Sequence, residues 1–250
     1  MRDFFIRLFQ TPAEAKLDIT LFSVWHFLYA GILLGTILLL SLVFRKRAQK
    51  TQDRFITVLT MLPIALYAAD FFIMPLAYGN IDVDKLPFHF CTMLSILMLF
   101  VQFGKPFGFM REAVTALAIV TPMMYLCYPG SAIGDITPFC YRVIQTFLYH
   151  GAVMAWGVCS VVLGRSTLRI KNIWKPLLLI CAFLAWGSFG NAVYSTADHT
   201  YDWCFVAGGT FPFIPKPLMP VVVLCAVGSL VAAIYGISYA IRAIYRKCKG

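Results

Sequence analysis

The sequence predicts an all-α membrane protein: a bundle of seven transmembrane helices with its N terminus outside and its C terminus in the cytoplasm. Composition gives the class, because 60% of the residues are apolar, only 13% are charged and the mean hydropathy is +0.79. A water-soluble domain does not need so large an apolar fraction. Long apolar runs and an uneven distribution of basic residues then give the number of spans and their orientation.

Seven apolar runs follow one another along the chain. Each has about 17 to 25 residues, which is the length that crosses the hydrocarbon core as a helix. A helix also satisfies its own backbone groups there, where no water is present. The predicted spans form a transmembrane domain over residues 20–240, and they are 20–44, 55–78, 87–103, 112–128, 139–163, 174–194 and 218–240.

Two short segments flank this domain. Residues 1–19 mix phenylalanines with charged side chains, which predicts an amphipathic helix lying in the membrane interface. They are too charged for the apolar core of a signal peptide. Residues 241–250 are rich in Arg and Lys and predict a basic cytoplasmic tail.

Basic residues fix the predicted orientation, since they gather on the cytoplasmic side of membrane proteins. The net charge of +10 therefore reflects topology and attraction to anionic lipid headgroups. We expect membrane lipids as partners and no nucleic acid, because the sequence has no nucleic-acid-binding motif. Fifteen of the 21 basic residues follow the odd-numbered spans: Arg45, Lys46, Arg47, Lys50, Arg54, Lys105, Arg111, Arg165, Arg169, Lys171, Lys175, Arg242, Arg246, Lys247 and Lys249.

The eight cysteines do not predict a disulfide framework. Cys140 and Cys204 lie in or beside the outer loops and are candidate disulfide partners, with Cys127 as a rival for either. The chain has no CxxC motif and no zinc-type spacing of His and Cys, so we expect no metal site. The other cysteines within spans are expected to pack as small apolar residues: Cys91, Cys159, Cys181 and Cys225.

Pairs of glycines within two spans predict close helix packing. Gly31 and Gly35 form a GxxxG pair in the first span, and Gly187 and Gly190 give the sixth span a face of small residues. Small residues let helix backbones approach one another closely in membranes.

Five polar residues lie in or at the ends of the spans, in the halves nearer the outer face. Polar groups in hydrocarbon are costly and mark pathways or sites. We therefore expect the function at this end of the bundle, among Asp70, His89, Cys91, His150 and Asn191.

The segment LPFHFC, residues 86–91, opens the third span. Pro87 suits the first turn of a helix, because its missing N–H has no helical partner there anyway. Cys91 then lies near the positive end of the helix dipole, where a thiolate nucleophile is favoured. The alternative is that Cys91 packs as a buried small apolar residue.

His150 is the predicted base for this thiol. His89 and Cys91 are two residues apart and point in nearly opposite directions on a helix. Arg142, Thr146 and His150 instead repeat every four residues and line one face of the fifth span. Cys91 and His150 differ in depth by ~6 Å, so the pairing requires a recessed start of the third span. Alternatively, His150 is a neutral histidine bonded within the bundle.

The remaining polar residues are predicted to complete the site. Asp70 in the second span can orient a histidine or stay protonated as a donor, and a structural pairing with Arg142 is the alternative. The Gly- and Pro-rich segment 195–217 predicts a lid over the outer opening. We expect a lipid headgroup to be bound by His89, Arg142, Thr146, Asn191 and Tyr194.

Three of these features together resemble a known family. They are the L-P-x-H-x-C opening of span three, the histidine inside span five and the Asn-x-x-Tyr end of span six followed by a Gly/Pro-rich loop. Over residues 55–235 they are similar to the YwaF family of bacterial membrane proteins and the related transmembrane-protein-164 family of animals. The resemblance implies a phospholipid-remodelling acyltransferase with a Cys/His pair at Cys91 and His150, in the bacterial cytoplasmic (plasma) membrane.

The leading prediction is therefore a membrane-embedded lipid acyltransferase or transacylase that needs no cofactor. Cys91 would be the nucleophile and His150 the base, with Asp70 orienting His150 in a pocket open to the outer face. One alternative is a small-molecule transporter or ligand-binding membrane protein, with Asp70 and His150 as proton carriers. Another is a non-catalytic scaffold.

Overall fold

A computed structural model describes residues 19–78, 83–129, 137–207 and 214–247, and over these residues the chain is helical with no strand. Short 3₁₀ turns lie at Val83–Lys85, Lys105–Met110, Ile170–Asn172, Trp203–Phe205 and Lys216–Leu218. The α-helices are α1 (Val24–Arg45), α2 (Gln49–Tyr78), α3 (Phe90–Phe103), α4 (Arg111–Cys127), α5 (Tyr141–Val162), α6 (Trp174–Tyr194) and α7 (Met219–Lys247).

Each predicted span corresponds to one of these helices. Helix α7 continues to Lys247, so most of the predicted basic tail extends the last helix. The predicted interfacial segment lies outside the described residues except for Ile19. Among the described residues, six segments are long and apolar enough to cross a membrane, which makes the chain a helical multi-pass membrane protein: Val24–Arg45, Gln49–Leu76, Val83–Phe103, Lys105–Cys127, Ile170–Tyr194 and Lys216–Ile244.

Helix α5 is absent from that set, although a span was predicted there. Arg142, Gln145 and His150 lower its mean hydropathy. Nevertheless, 14 of its 22 residues are buried. A helix buried over so much of its surface faces protein more than lipid, so it can carry polar side chains that a lipid-facing helix cannot.

The chain divides into two compact units. Unit 1 comprises residues 1–82 and 122–163, and unit 2 comprises residues 83–121 and 164–250. In unit 1, α5 packs against both α1 and α2. In unit 2, α6 packs against α7 and against the turn Trp203–Phe205.

Close helix packing in unit 1 occurs at a glycine that the sequence analysis did not select. A Cβ on Gly151 of α5 would lie 2.7 Å from Leu33 Cδ1 of α1. A Cβ on Gly31 or Gly35 would meet no atom within 4 Å. The prediction of close packing at Gly31 and Gly35 is therefore wrong over the described residues, because α1 presents Leu33 to α5.

The prediction for α6 in unit 2 is confirmed in part: both glycines are sites of close packing, but the groups that pack there are a residue before α3 and a turn, not another α-helix. A Cβ on Gly190 would lie 2.5 Å from Phe88 Cδ1, and one on Gly187 would lie 2.8 Å from Cys204 Sγ. Because these two glycines have no side chain, Phe88 and the turn Trp203–Phe205 pack directly against the backbone of α6. The indole N–H of Trp186 also donates to the carbonyl of Pro87, at 2.9 Å.

One acidic and one basic side chain in unit 2 bind the connecting segment 168–172. Glu112 accepts hydrogen bonds from the backbone N–H of Arg169 at 2.5 Å and from Asn172 Nδ2 at 2.6 Å. Arg242 donates to the carbonyl of Leu168. These bonds tie segment 168–172 to α4 and α7, so part of the basic charge has a structural role.

The thiols at the two candidate disulfide positions are both free. Cys204 instead donates a hydrogen bond to the carbonyl of Phe88 at 3.1 Å. Cys127, the predicted rival, is also free, and Cys248 lies outside the described residues. The predicted topology puts Cys140 and Cys204 on the same side of the membrane. A shared side does not bring two sulfur atoms within bonding distance.

Candidate functional site

The predicted site residues fall into two groups, one in each unit. We call them the Cys91 group and the His150 group, and each is described by its contacts within its own unit. The Cys91 group in unit 2 contains His89, Cys91, Asn191 and Tyr194. The His150 group in unit 1 contains Asp70, Arg142, Thr146 and His150.

Cys91 is the second residue of α3, and His89 is the N-cap. The prediction that Pro87 occupies the first turn is wrong, because Phe88 N–H bonds back to the Leu86 carbonyl at 2.7 Å and the helix starts three residues after the proline. The first helical hydrogen bond runs from Met93 N–H to His89 O at 3.1 Å. The amide of Cys91 therefore belongs to the positive end of the helix dipole.

Cys91 is partly exposed as a residue, and its thiol contacts a hydroxyl of α4. It donates a hydrogen bond to Thr121 Oγ1 with an S–O distance of 3.9 Å. Thr121 is buried, and its own hydroxyl donates to the carbonyl of Leu117 at 3.0 Å. The sulfur is thus hydrogen-bonded as well as packed, which is more than a small apolar side chain requires.

His89 pairs with a carboxylate near the start of α3. Its Nε2 lies 3.1 Å from Asp84 Oδ1, and the two side chains are 35% and 49% exposed. The Asp84 carbonyl also accepts from the indole N–H of Trp203 at 3.4 Å. The His89 side chain is thus paired with Asp84 and still partly exposed.

Asn191 holds the turn Trp203–Phe205. Its Oδ1 accepts from Trp203 N–H at 2.8 Å and its Nδ2 donates to Trp203 O at 3.2 Å. Both ends of the Asn191 amide thus bind the backbone of Trp203. Tyr194 is 41% exposed and packs near Phe88, with ring centroids 5.7 Å apart.

The turn itself has an uncommon backbone. Cys204 and Phe205 have φ values of +58° and +59°, a left-handed conformation that is costly for residues with a side chain. Asn191 and the bond from Cys204 to Phe88 offset that cost. Burial raises the pKa of the Cys204 thiol above its ordinary value.

His150 is held at two points within unit 1. Its Nδ1 lies 2.8 Å from the carbonyl of Thr146. Because a carbonyl only accepts, this bond places the proton on Nδ1 and the basic lone pair on Nε2. The ring also stacks on Tyr125 of α4, with centroids 3.7 Å apart and an interplanar angle of 4°. The plane and the tautomer of the imidazole are therefore both fixed.

Asp70 is buried, with 2% of its surface exposed. Its Oδ1 accepts a hydrogen bond from the hydroxyl of Tyr141 at 2.6 Å. Tyr141 precedes His150 by nine residues on α5, about 13 Å along the helix axis. The hydrogen bond at His150 Nδ1, which an orienting aspartate would make, is thus made by the carbonyl of Thr146. Half-buried Arg142 follows Tyr141 in the first turn of α5.

Four polar residues with such contacts were not predicted from the sequence: Thr121, Tyr125, Tyr141 and His26. Thr121 and Tyr125 are four residues apart in α4, so they share a face of that helix. This spacing was the feature of the sequence that could have indicated a polar face on α4. Buried His26 accepts from Phe22 N–H at 3.0 Å through Nδ1, and its Nε2 lies 2.7 Å from Leu126 O. It therefore binds a terminal carbonyl of α4.

Comparison with known proteins adds a family to this geometry. The sequence matches the TMEM164 family over residues 21–239. The chain belongs to the TMEM164 family. The match includes both groups of site residues. No curated protein and no solved structure matches the chain. The likeness of this TMEM164 family protein to the YwaF family stays a prediction.

Proposed function

We propose that this TMEM164 family protein is a membrane-embedded lipid acyltransferase, with Cys91 as the nucleophile and His150 as the base. The observation that carries the proposal is the position of Cys91 in the first turn of α3, bonded to a buried hydroxyl. A helix N-terminus stabilises a thiolate, and the thiolate is the reactive form of cysteine.

In the first step the Cys91 thiol gives its proton to Nε2 of His150. The sulfur then attacks the carbonyl carbon of a phospholipid ester. The C–O bond breaks, the leaving lyso-lipid alkoxide takes the proton from the imidazolium, and the acyl chain remains on Cys91 as a thioester.

In the second step the hydroxyl of an acceptor lyso-lipid gives its proton to Nε2. Its oxygen attacks the thioester carbonyl and the C–S bond breaks. The leaving thiolate recovers the proton from the imidazolium. No oxidant, reductant or cofactor enters this balance.

The contacts within each unit support these roles. Thr146 O and Tyr125 hold the imidazole in the tautomer that has its lone pair on Nε2. The first-turn amides of α3, including that of Cys91, are suitable donors for the oxyanion of each tetrahedral intermediate. We assign Asp70 an indirect role, in which its bond to Tyr141 holds α2 against α5.

The proposed substrates are a phospholipid donor and a lyso-lipid acceptor from the surrounding membrane. The pair of His89 and Asp84, together with exposed Tyr194, offers polar and aromatic groups to a headgroup. We propose a pocket that opens to the outer face, with the N terminus outside and the C terminus in the cytoplasm of a bacterial cell. A fluorescent protein fused after the last residue tests the orientation, because it folds and fluoresces only on the cytoplasmic side.

Reconstitution in liposomes tests the activity. The purified protein receives a phospholipid with a labelled acyl chain and an unlabelled lyso-lipid, and the label in newly formed phospholipid is measured. We expect transfer by the wild type and by the control Cys225→Ala, whose thiol is exposed in α7. We expect none by Cys91→Ala or His150→Ala. Transfer at the wild-type rate by both of these variants would reject the mechanism.

A second candidate function is a transporter or ligand-binding protein that uses the same polar side chains. The buried carboxyl of Asp70 favours it, because ionisable groups within spans mark proton and ion pathways. Uptake driven by a pH gradient and lost in Asp70→Asn, without turnover of lipid, would support this function in place of acyl transfer.

A further inference from the structure

We propose that Thr121 is a positioning residue for Cys91, with a hydroxyl that accepts a hydrogen bond from the thiol and donates one to the thiolate. This inference rests on the proposed function, since it concerns the nucleophile of that reaction. It assigns a role to a side chain of α4, a helix in which no site residue was predicted.

The two hydrogen bonds of Thr121 carry the inference. The Cys91 thiol donates to Thr121 Oγ1 at 3.9 Å, while the Thr121 hydroxyl donates to the carbonyl of Leu117 at 3.0 Å. A lone pair of the hydroxyl oxygen therefore faces the sulfur, and its hydrogen faces the helix backbone. Thr121 is only 6% exposed, so water competes little for this hydroxyl.

Deprotonation changes the Cys91 sulfur from a hydrogen-bond donor into an acceptor. A thiolate only accepts hydrogen bonds, and an oxygen lone pair held toward it would be repulsive. Rotation about the Cβ–Oγ bond of Thr121 turns the hydrogen from Leu117 O to the sulfur, and no proton leaves the threonine. Leu117 O still receives the regular helical bond from Thr121 N–H, so the hydroxyl can leave it at small cost.

Thr115 provides a matched control on the same helix. Its hydroxyl donates to the carbonyl of Arg111 at 2.7 Å, and the side chain is fully buried. Its bond to the helix backbone is of the same kind as that of Thr121. Valine at either position therefore removes the same hydrogen bond to the helix backbone, but only valine at position 121 also removes the hydroxyl that contacts Cys91.

The experiment compares Thr121→Val, Thr121→Ser and Thr115→Val in the full-length protein in liposomes. The rate at which iodoacetamide modifies Cys91 is followed by mass spectrometry of the peptide that contains it. We expect Thr121→Val to react about tenfold more slowly than the wild type, because a hydrogen bond to an anion is among the stronger ones. Thr121→Ser should react at close to the wild-type rate, and so should Thr115→Val.

Equal rates in Thr121→Val and the wild type would overturn the inference, and so would equal slowing by Thr115→Val. Thr121→Ala is measured in parallel, so that a second side chain without a hydroxyl is available if valine prevents folding. Because alkylation requires no lipid substrate, this test is independent of the acyl transfer assay. Acyl transfer by the Cys91→Ala variant would reject the proposed function. The alkylation rates would still decide whether Thr121 acts on Cys91.

Discussion

The imidazole of His150 lies face to face on the phenol ring of Tyr125, with centroids 3.7 Å apart. Together with the bond from Nδ1 to Thr146 O, this stack fixes the imidazole, which is the proposed base, within unit 1. Such preorganisation lowers the cost of reaching the transition state.

Replacing Tyr125 should therefore slow the chemical step. We expect Tyr125→Leu to lower kcat about tenfold with little change in KM, because the stack orients the base without binding substrate. Tyr125→Phe keeps the stacked ring and should retain most of the activity. The acyl transfer assay at several phospholipid concentrations separates the two constants, and a change confined to KM would contradict the role.

Gly190 should not tolerate a side chain. A Cβ there would lie 2.5 Å from Phe88 Cδ1, and Phe88 is buried just before α3. We expect Gly190→Ala to destabilise the protein by about 1 to 3 kcal/mol, because the ring has to move within a packed cluster. Thermal unfolding in detergent measures this loss. Gly236→Ala is the control, since a Cβ there meets no atom within 4 Å, and equal losses in both variants would refute the argument.

Asp70 distinguishes the two candidate functions. The proposed acyltransferase assigns it a structural role through Tyr141, so Asp70→Asn, which keeps an acceptor oxygen, should retain acyl transfer within about twofold. Tyr141→Phe removes a hydrogen-bond donor to the buried carboxyl of Asp70 and should cost about 1 to 3 kcal/mol of stability. Thermal unfolding and the transfer assay check both variants. Abolished transfer in Asp70→Asn with unchanged stability would give Asp70 a direct chemical role.

Cys204 should make stability fall in alkaline solution. Burial raises the pKa of its thiol in the folded protein above the ordinary value of 9.0, so the unfolded chain loses this proton first as the pH rises. The contribution of the thiol is complete below pH 9.0 and is lost progressively above it. Urea unfolding on either side of that pH measures the loss. Cys204→Ser should remove this part of the pH dependence, whereas Cys225→Ser should keep it.

The sequence predicted the helices well because each apolar run is long and its ends are marked by charged or helix-breaking residues. Helix α6 was predicted at its observed bounds, 174–194. The start of α3 was misplaced by three residues, because the Pro87 carbonyl is bound by Trp186 from another helix. Contacts between distant segments of this kind leave no mark in the local pattern.

The sequence singled out the polar residues of the two groups but not the side chains and carbonyls that contact them. A buried Cys, His or Asp stands out in an apolar run because its burial is costly. Thr121 and Tyr125 do not, since threonine and tyrosine are common in spans and gain their roles from what they touch. The contact between Thr146 and His150 could not be predicted either, because the backbone carbonyl of Thr146 makes it and not the side chain.

The measurement that tests the central claim most directly is a search for an acyl thioester on Cys91. The protein is incubated with a phospholipid labelled in its acyl chain, without acceptor, and is then quenched in acid and digested for mass spectrometry. We expect the acyl mass on the peptide that contains Cys91, released by hydroxylamine and strongly reduced in His150→Ala. Two results together would contradict the account. No acyl group would be detected on Cys91, and the Cys91→Ala variant would still transfer label to an added lyso-lipid at the wild-type rate.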